Sequence, residues 1–139
     1  MNVVICQALG NELQAFLSAL SFDKVFILTD EHTHALCLPR LQGVEALKEA
    51  PVICTAAGDT HKSLEHLAKI WERLSNEGAT RHSLLINLGG GMVTDMGGFA
   101  GATFKRGIRT INIPTTLMAS VDAAVGGKTG INFNGLKNE

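Results

Sequence analysis

An acid, a lysine and two glycine-rich turns are concentrated between Gly89 and Asn132, in GGGMVTDMGGF (Gly89 to Phe99) and VDAAVGGKTGIN (Val121 to Asn132). Glycine at that density costs conformational entropy on folding, and chains retain it where backbone must lie close to a ligand. Asp122 and Lys128 supply a carboxylate and a compact cation within the second run, and Lys137 and Asn138 follow it. Lysines in a glycine-rich region suit a phosphorylated or carboxylated substrate. Two nucleotide-binding motifs compete for the same residues. Gly127-Lys128-Thr129 has the ending of a P-loop, but the motif's first glycine falls on Asp122, where a carboxylate would face phosphate. The dinucleotide fingerprint G-x-G-x-x-G would need glycine at 89, 91 and 94, and residue 94 is threonine. A nicotinamide cofactor still makes physical sense, because these glycines follow an apolar run and open a helix, where free amides and the helix dipole favour pyrophosphate.

The elements that must position these residues alternate along the chain. Val3–Cys6 reads as an edge or first strand, and Asn11 to Leu20 as a helix with Leu13, Phe16, Leu17 and Leu20 on one face. Lys24–Thr29 is a continuous apolar run, the mark of a strand covered on both faces, with a second helix starting at Asp30. Pro51–Thr55, Leu84–Leu88 and Arg109–Ile113 read as further strands, the last stopped by Pro114. Ser63–Asn76 reads as a helix with Leu64, Leu67, Ala68, Trp71 and Leu74 in phase and Gly78 at its end, and Met92–Phe104 as another. Gly135 to Glu139 stops without a final strand or helix, as though cut from a larger arrangement. The pattern predicts an α/β, doubly wound domain with a mostly parallel sheet, whose ligands bind at strand carboxyl ends. Asp30, Ala57 to Lys62, Gly89 to Gly91 and Pro114 to Thr116 all follow predicted strands.

Composition removes several classes of function. The chain has 139 residues, enough for one compact domain, and carries 12 basic against 13 acidic residues for a net charge of −1. That balance offers nothing to nucleic acid or an anionic membrane. Three scattered cysteines, Cys6, Cys37 and Cys54, argue for reduced thiols in a cytoplasmic protein. The first residues lack the basic flank of a signal peptide, and no apolar run is long enough to span a bilayer. His32, His34, His61 and His66 lack the spacing of a metal-ligand set, so no metal ligands are expected.

Bland readings stand beside the chemical ones. Asp95 near a helix start gains from the helix dipole whether or not a cofactor is there. Thr115 and Thr116 could satisfy local backbone. Arg106 and Arg109 flank Gly107 in a basic turn that either clamps phosphate or is simply exposed.

From Lys24 onward, and most strongly from Leu85, the chain resembles the 3-dehydroquinate synthase family. Thr29-Asp30 matches the family's strand end. Gly58-Asp59-Thr60-His61-Lys62-Ser63 matches its G-E-x-x-K-S loop, with aspartate for glutamate. Gly89 to Asp95 matches its G-G-G-V-I-G-D turn, with Thr94 replacing a glycine. Lys105-Arg106-Gly107, Pro114-Thr115-Thr116 and Val121 to Thr129 match its QRG, PTT and VD-x-x-VGGK-T elements, and Leu136-Lys137-Asn138 its G-K-N. The resemblance implies a Rossmann-like NAD-binding N-terminal domain over residues 1–139. It implies cofactor contacts at Asp30, Asp59, Lys62, Gly90, Gly91, Met92, Val93, Thr94, Asp95, Thr115, Thr116, Lys128 and Lys137. It implies catalytic contacts at Asp122, Lys128, Asn138 and Arg106, the last offered across the interface of a homodimer. The family reaction turns 3-deoxy-D-arabino-heptulosonate 7-phosphate into 3-dehydroquinate and phosphate, a step of the shikimate pathway, with catalytic NAD and a divalent metal, Zn or Co. The family's metal ligands come from a helical C-terminal domain expected to be absent, so the chain alone is expected to be inactive. Alternatives are a related sugar-phosphate cyclase, the cofactor domain of a metal-dependent alcohol dehydrogenase, or a non-catalytic dimerising fragment.

Overall fold

The computed structural model describes residues 2–6, 9–41, 43–55, 64–114 and 129–134. Along the chain run β1 (Asn2–Cys6), α1 (Leu9–Ser18), β2 (Val25–Asp30), α2 (Glu31–Leu36), two 3-10 turns (Leu38–Leu41 and Glu45–Leu47) and β3 (Val52–Thr55). They are followed by α3 (Leu64–Asn76), β4 (Leu84–Gly89), α4 (Gly91–Thr103), a 3-10 turn (Phe104–Arg106), β5 (Arg109–Pro114) and β6 (Thr129–Asn134). The strands form one sheet in the order β1-β6-β5-β4-β2-β3. β3, β2, β4 and β5 are mutually parallel, and β6 lies antiparallel between β5 and β1.

The two central strands explain the layering. Every residue of β4 is buried, as are the first five of β2, so the sheet is covered on both faces. On one face Val25, Ile27, Leu84, Ile86, Leu88, Ile111 and Ile113 pack against Leu13 and Leu17 of α1 and against Leu41, Val44 and Leu47 around the 3-10 turns. On the other, Phe26, Leu28 and Leu85 meet Leu67, Ile70 and Leu74 of α3 and Met92, Val93, Met96 and Ala100 of α4. Helix α4 lies hard against the sheet because Gly97 and Gly101 face it. A Cβ at Gly97 would run into the side-chain amide of Asn87, and one at Gly101 into the methyl of Thr110.

Two expectations are corrected. The chain has a strand, β6, that begins inside the second glycine run and continues past it, where no further element was expected. Its pairing partners are distant in sequence, and Gly130 weakens its local signal. In α3 the buried stripe is Leu67, Ile70 and Leu74, while Leu64 is 72% exposed, so the predicted apolar face is rotated. The expected Leu13, Phe16, Leu17 and Leu20 face of α1 does pack on the core. Helix α3 ends as expected at Gly78, whose φ of 84° lets Ala79 N–H return to the Leu74 carbonyl at 2.9 Å.

Candidate cofactor site

The carboxyl ends of the four parallel strands form one edge of the sheet. Asp30 of β2 is in register with Thr55 of β3, Thr29 with Leu88 of β4, and Gly89 of β4 with Pro114 of β5. The connection leaving β2 runs over the α1 face to β3, and α4 leaving β4 runs over the opposite face to β5. The chain therefore parts between β2 and β4. A crevice at such a switch point, outside the carboxyl ends, is where open α/β sheets take their ligands.

Asp30 closes one wall. It caps α2: its Oδ1 accepts from Thr33 N–H at 2.8 Å and from Thr33 Oγ1 at 3.1 Å, and its own N–H donates to Thr33 Oγ1 at 3.0 Å. Such a reciprocal cap stabilises a helix start by about 1 kcal/mol and fixes the carboxylate in place.

The other wall is the glycine turn. Gly90 is the extended N-cap of α4, with φ −82° and ψ −161°, and has no side chain to offer the helix. Thr94 N–H closes the first turn on the Gly90 carbonyl at 3.0 Å, and Thr94 Oγ1 donates to the Gly91 carbonyl at 3.2 Å. The amides of Gly91, Met92 and Val93 precede the first intrahelical bond, which is the arrangement that receives anions. The neighbouring glycines have different physical origins. At Gly89 a Cβ would lie 2.7 Å from Val93 Cβ, so the fold itself excludes a side chain. At Gly91 a Cβ would meet nothing within 4 Å. The described fold leaves Gly91 without a reason to be glycine, and a group approaching the backbone closely would supply one.

Met92 and Val93 are 8% and 1% exposed and pack in the core, so only their backbone amides face the crevice. Asp95 is exposed one turn into the helix. Beneath the turn, Asn87 Nδ2 donates to Asn112 Oδ1 at 2.9 Å, both residues being buried, and Asn87 Oδ1 has no hydrogen-bond partner among the described residues. This amide pair was missed in the sequence, although an asparagine inside the apolar run LLINLG was its signal.

Arg106 is not brought to this edge. It follows the far end of α4, whose 13 residues span ~20 Å, and precedes the amino end of β5. Lys105 and Arg106 are both exposed and both left-handed, with φ of 46° and 70°. Arg109, the other arginine of that turn, is tied down by donating to the Ser21 carbonyl. Asp59, Lys62, Thr115, Thr116, Asp122, Lys128, Lys137 and Asn138 lie outside the described residues. The strands leading to them do reach this edge. β3 ends at Thr55, β5 ends at Pro114, and β6, antiparallel to β5, begins there at Thr129. Among the described residues no three His, Cys, Asp or Glu side chains converge to hold a metal, and no helix is long and apolar enough to cross a membrane.

Residues 52–139 match the family described as 3-dehydroquinate synthase N-terminal. A protein of Parabacteroides distasonis named 3-dehydroquinate synthase is 69% identical over 138 residues, covering 99% of this chain and 39% of its own length. The chain thus spans about two fifths of that relative. A crystal structure of 2-deoxy-scyllo-inosose synthase complexed with carbaglucose-6-phosphate, NAD+ and Co2+ superposes with a TM-score of 0.66 at 25% identity, covering 88% of this chain and 38% of that one. A 2-epi-5-epi-valiolone synthase from Streptomyces hygroscopicus, with NAD+ and Zn2+ bound, gives 0.61 at 26% identity, covering 80% and 31%.

Proposed function

The chain belongs to the 3-dehydroquinate synthase N-terminal family, and from that premise we propose that it is the NAD-binding part of a 3-dehydroquinate synthase. The observation that carries the cofactor reading is Gly91, a helix-start glycine where a Cβ would meet nothing within 4 Å, beside first-turn amides that have no intrahelical acceptor, at the switch point of the sheet. A pyrophosphate laid across those amides explains the residue, because a side chain there would hold the phosphate off. Gly90 to Asp95 form the phosphate end of the site, and Asp30 walls it. Asp59, Lys62, Thr115, Thr116, Lys128 and Lys137 complete the cofactor contacts. Asp122, Lys128 and Asn138 meet the phosphorylated sugar acid. That β6 begins next to Lys128 at the edge where β5 ends supports this assignment.

NAD, when bound, supplies a hydride acceptor and donor; the chain's own part is to bind and orient, with the amides at the start of α4 in place before substrate arrives. Arg106 stands a helix length from its own Gly91, which supports the resemblance's reading of it as an arginine offered to the site of a second copy in a homodimer. The described residues do not suit a divalent metal, and no step is assigned to one. The 69% identity to a 3-dehydroquinate synthase, against 25–26% to the two other cyclases, favours the heptulosonate phosphate as substrate.

The test is reconstitution. The chain is mixed with the separately produced remainder of the P. distasonis relative and supplied with NAD, metal and 3-deoxy-D-arabino-heptulosonate 7-phosphate. Phosphate release in the mixture, and none from the chain alone, is expected. Turnover by the chain alone would contradict the division of labour, and a folded mixture that binds NAD without releasing phosphate would favour a different sugar phosphate.

A further inference from the structure

Helix α4 rests on the sheet at two glycines one turn apart, and the two contacts differ in kind. At Gly101 the sheet offers the methyl of Thr110, and the helix is also tied there by Ile108 N–H donating to the Gly101 carbonyl at 2.8 Å. At Gly97 the sheet offers a carboxamide: a Cβ would run into Oδ1, Cγ and Nδ2 of Asn87 alike, so the whole amide group lies against the helix backbone. Asn87 is 0% exposed, and its Oδ1 has no hydrogen-bond partner among the described residues. Leaving a buried carbonyl unpaired is unfavourable, and an apolar side chain would avoid it. Phe26, Leu28 and Leu85, on the same face of the sheet, are indeed apolar. The amide at residue 87 therefore calls for a reason other than filling space.

Its orientation is fixed. Asn87 and Asn112 are in register across β4 and β5, two residues before the ends of those strands at Gly89 and Pro114, and Asn87 Nδ2 donates to Asn112 Oδ1 at 2.9 Å. We propose that Asn87 is a positioning residue for the cofactor: its carboxamide, held by Asn112 and seated under Gly97, sets the height of α4 above the sheet and with it the place of the Gly91, Met92 and Val93 amides. The inference rests on the cofactor reading above. Leverage makes this contact the sensitive one. Gly97 and Gly91 stand ~6 Å and ~15 Å from Gly101 along the helix axis. With Gly101 as the fixed point, a displacement of ~1 Å at Gly97 becomes ~2.5 Å at the first turn, enough to take an amide out of hydrogen-bond range of an anion. An apolar side chain of similar size would be held by packing alone, without a hydrogen bond to fix its orientation.

The test compares the wild-type chain with Gly97→Ala and with the double variant Asn87→Ala/Gly97→Ala. The single change sets a methyl against the carboxamide and lifts the helix. In the double variant that methyl takes the space the carboxamide leaves. In calorimetry Gly97→Ala should raise the NAD dissociation constant roughly 10-fold or more, and the double variant should return it to within about threefold of wild type. In NAD-free, isotope-labelled chains the amide resonances of Gly91, Met92 and Val93 should shift in Gly97→Ala and return in the double variant. A side chain that only held the fold together would lower the urea midpoint and leave the affinity of the folded chain unchanged. Should Gly97→Ala not fold, Asn87→Ala is the single variant compared, with the same expectation. First-turn resonances unmoved in the folded single variant, or a double variant no closer to wild type than the single, would overturn the positioning role. Resonances that follow the expected pattern in a chain that binds no NAD would remove the cofactor reading alone, and NAD binding indifferent to every variant would remove the positioning role alone.

Discussion

Replacing Gly91 by alanine should strengthen the fold and weaken cofactor binding, whereas the same change at Gly89 should damage both. At Gly91 the new methyl enters open space, and the position is the first of α4. Removing glycine's unfolded-state freedom there should add about 0.5 kcal/mol of stability, which raises Tm by roughly 2–3 °C. In the proposed binding mode the same methyl would stand between the pyrophosphate and the amides of α4. Losing one charge-assisted amide–phosphate hydrogen bond costs about 1.5–3 kcal/mol, or about 10- to 150-fold in NAD affinity. At Gly89 the methyl would lie 2.7 Å from both Val93 Cβ and Val93 Cγ2. Val93 is β-branched and 1% exposed, so it cannot swing aside, and overpacking should cost about 1–3 kcal/mol. Urea unfolding and NAD calorimetry on both variants give the four numbers. A Gly91→Ala chain that binds NAD within twofold of wild type would refute the reasoning, because the glycine would then have no ligand to serve.

Three further outcomes follow from other parts of the fold. Lys105 sits at φ 46° and ψ 44°, and Lys105→Gly should stabilise the chain by about 1 kcal/mol in urea unfolding by relieving left-handed strain. Asn112→Leu should destabilise by about 1–3 kcal/mol, since it leaves the buried Asn87 Nδ2 without its acceptor. Asp23 ties the start of β2 to the turn before β4. Burial pushes its pKa up, but donation from Thr80 Oγ1 and Ser83 Oγ outweighs this and holds it below the ordinary 3.8. A lowered folded pKa contributes stability that is present above the ordinary value and lost as pH falls through the folded one. Acid unfolding below pH 3.8 should therefore be steeper for wild type than for Asp23→Asn, by less than about 1 kcal/mol because the side chain is exposed.

Much of this architecture was legible in the sequence, for identifiable reasons. β2 and β4 are covered on both faces, and continuous apolar runs such as KVFILT announce such strands. Glycine after β4 and the capping aspartate after β2 marked the carboxyl edge, so both walls of the crevice were found before the crevice itself. What escaped depends on contacts between distant residues. β6 is held by β1 and β5, and its alternation of Ile131 and Phe133 with polar or small residues was masked by the glycines before it. The phase of α3 could not be read because apolar residues stand on both sides of the helix, Leu67, Ile70 and Leu74 in the core with Trp71 packed at its margin, and Leu64 and Ala68 exposed. The distinction between Gly89 and Gly91 is likewise invisible in GGG, since it depends on where Val93 packs.

The central claim, that this chain is a cofactor domain, is tested most directly by titrating it with NAD in a calorimeter, alongside Asp95→Ala and Lys128→Ala. Saturable one-to-one binding that both substitutions weaken is the expected result. A chain that is folded by circular dichroism and takes up no NAD would contradict the claim.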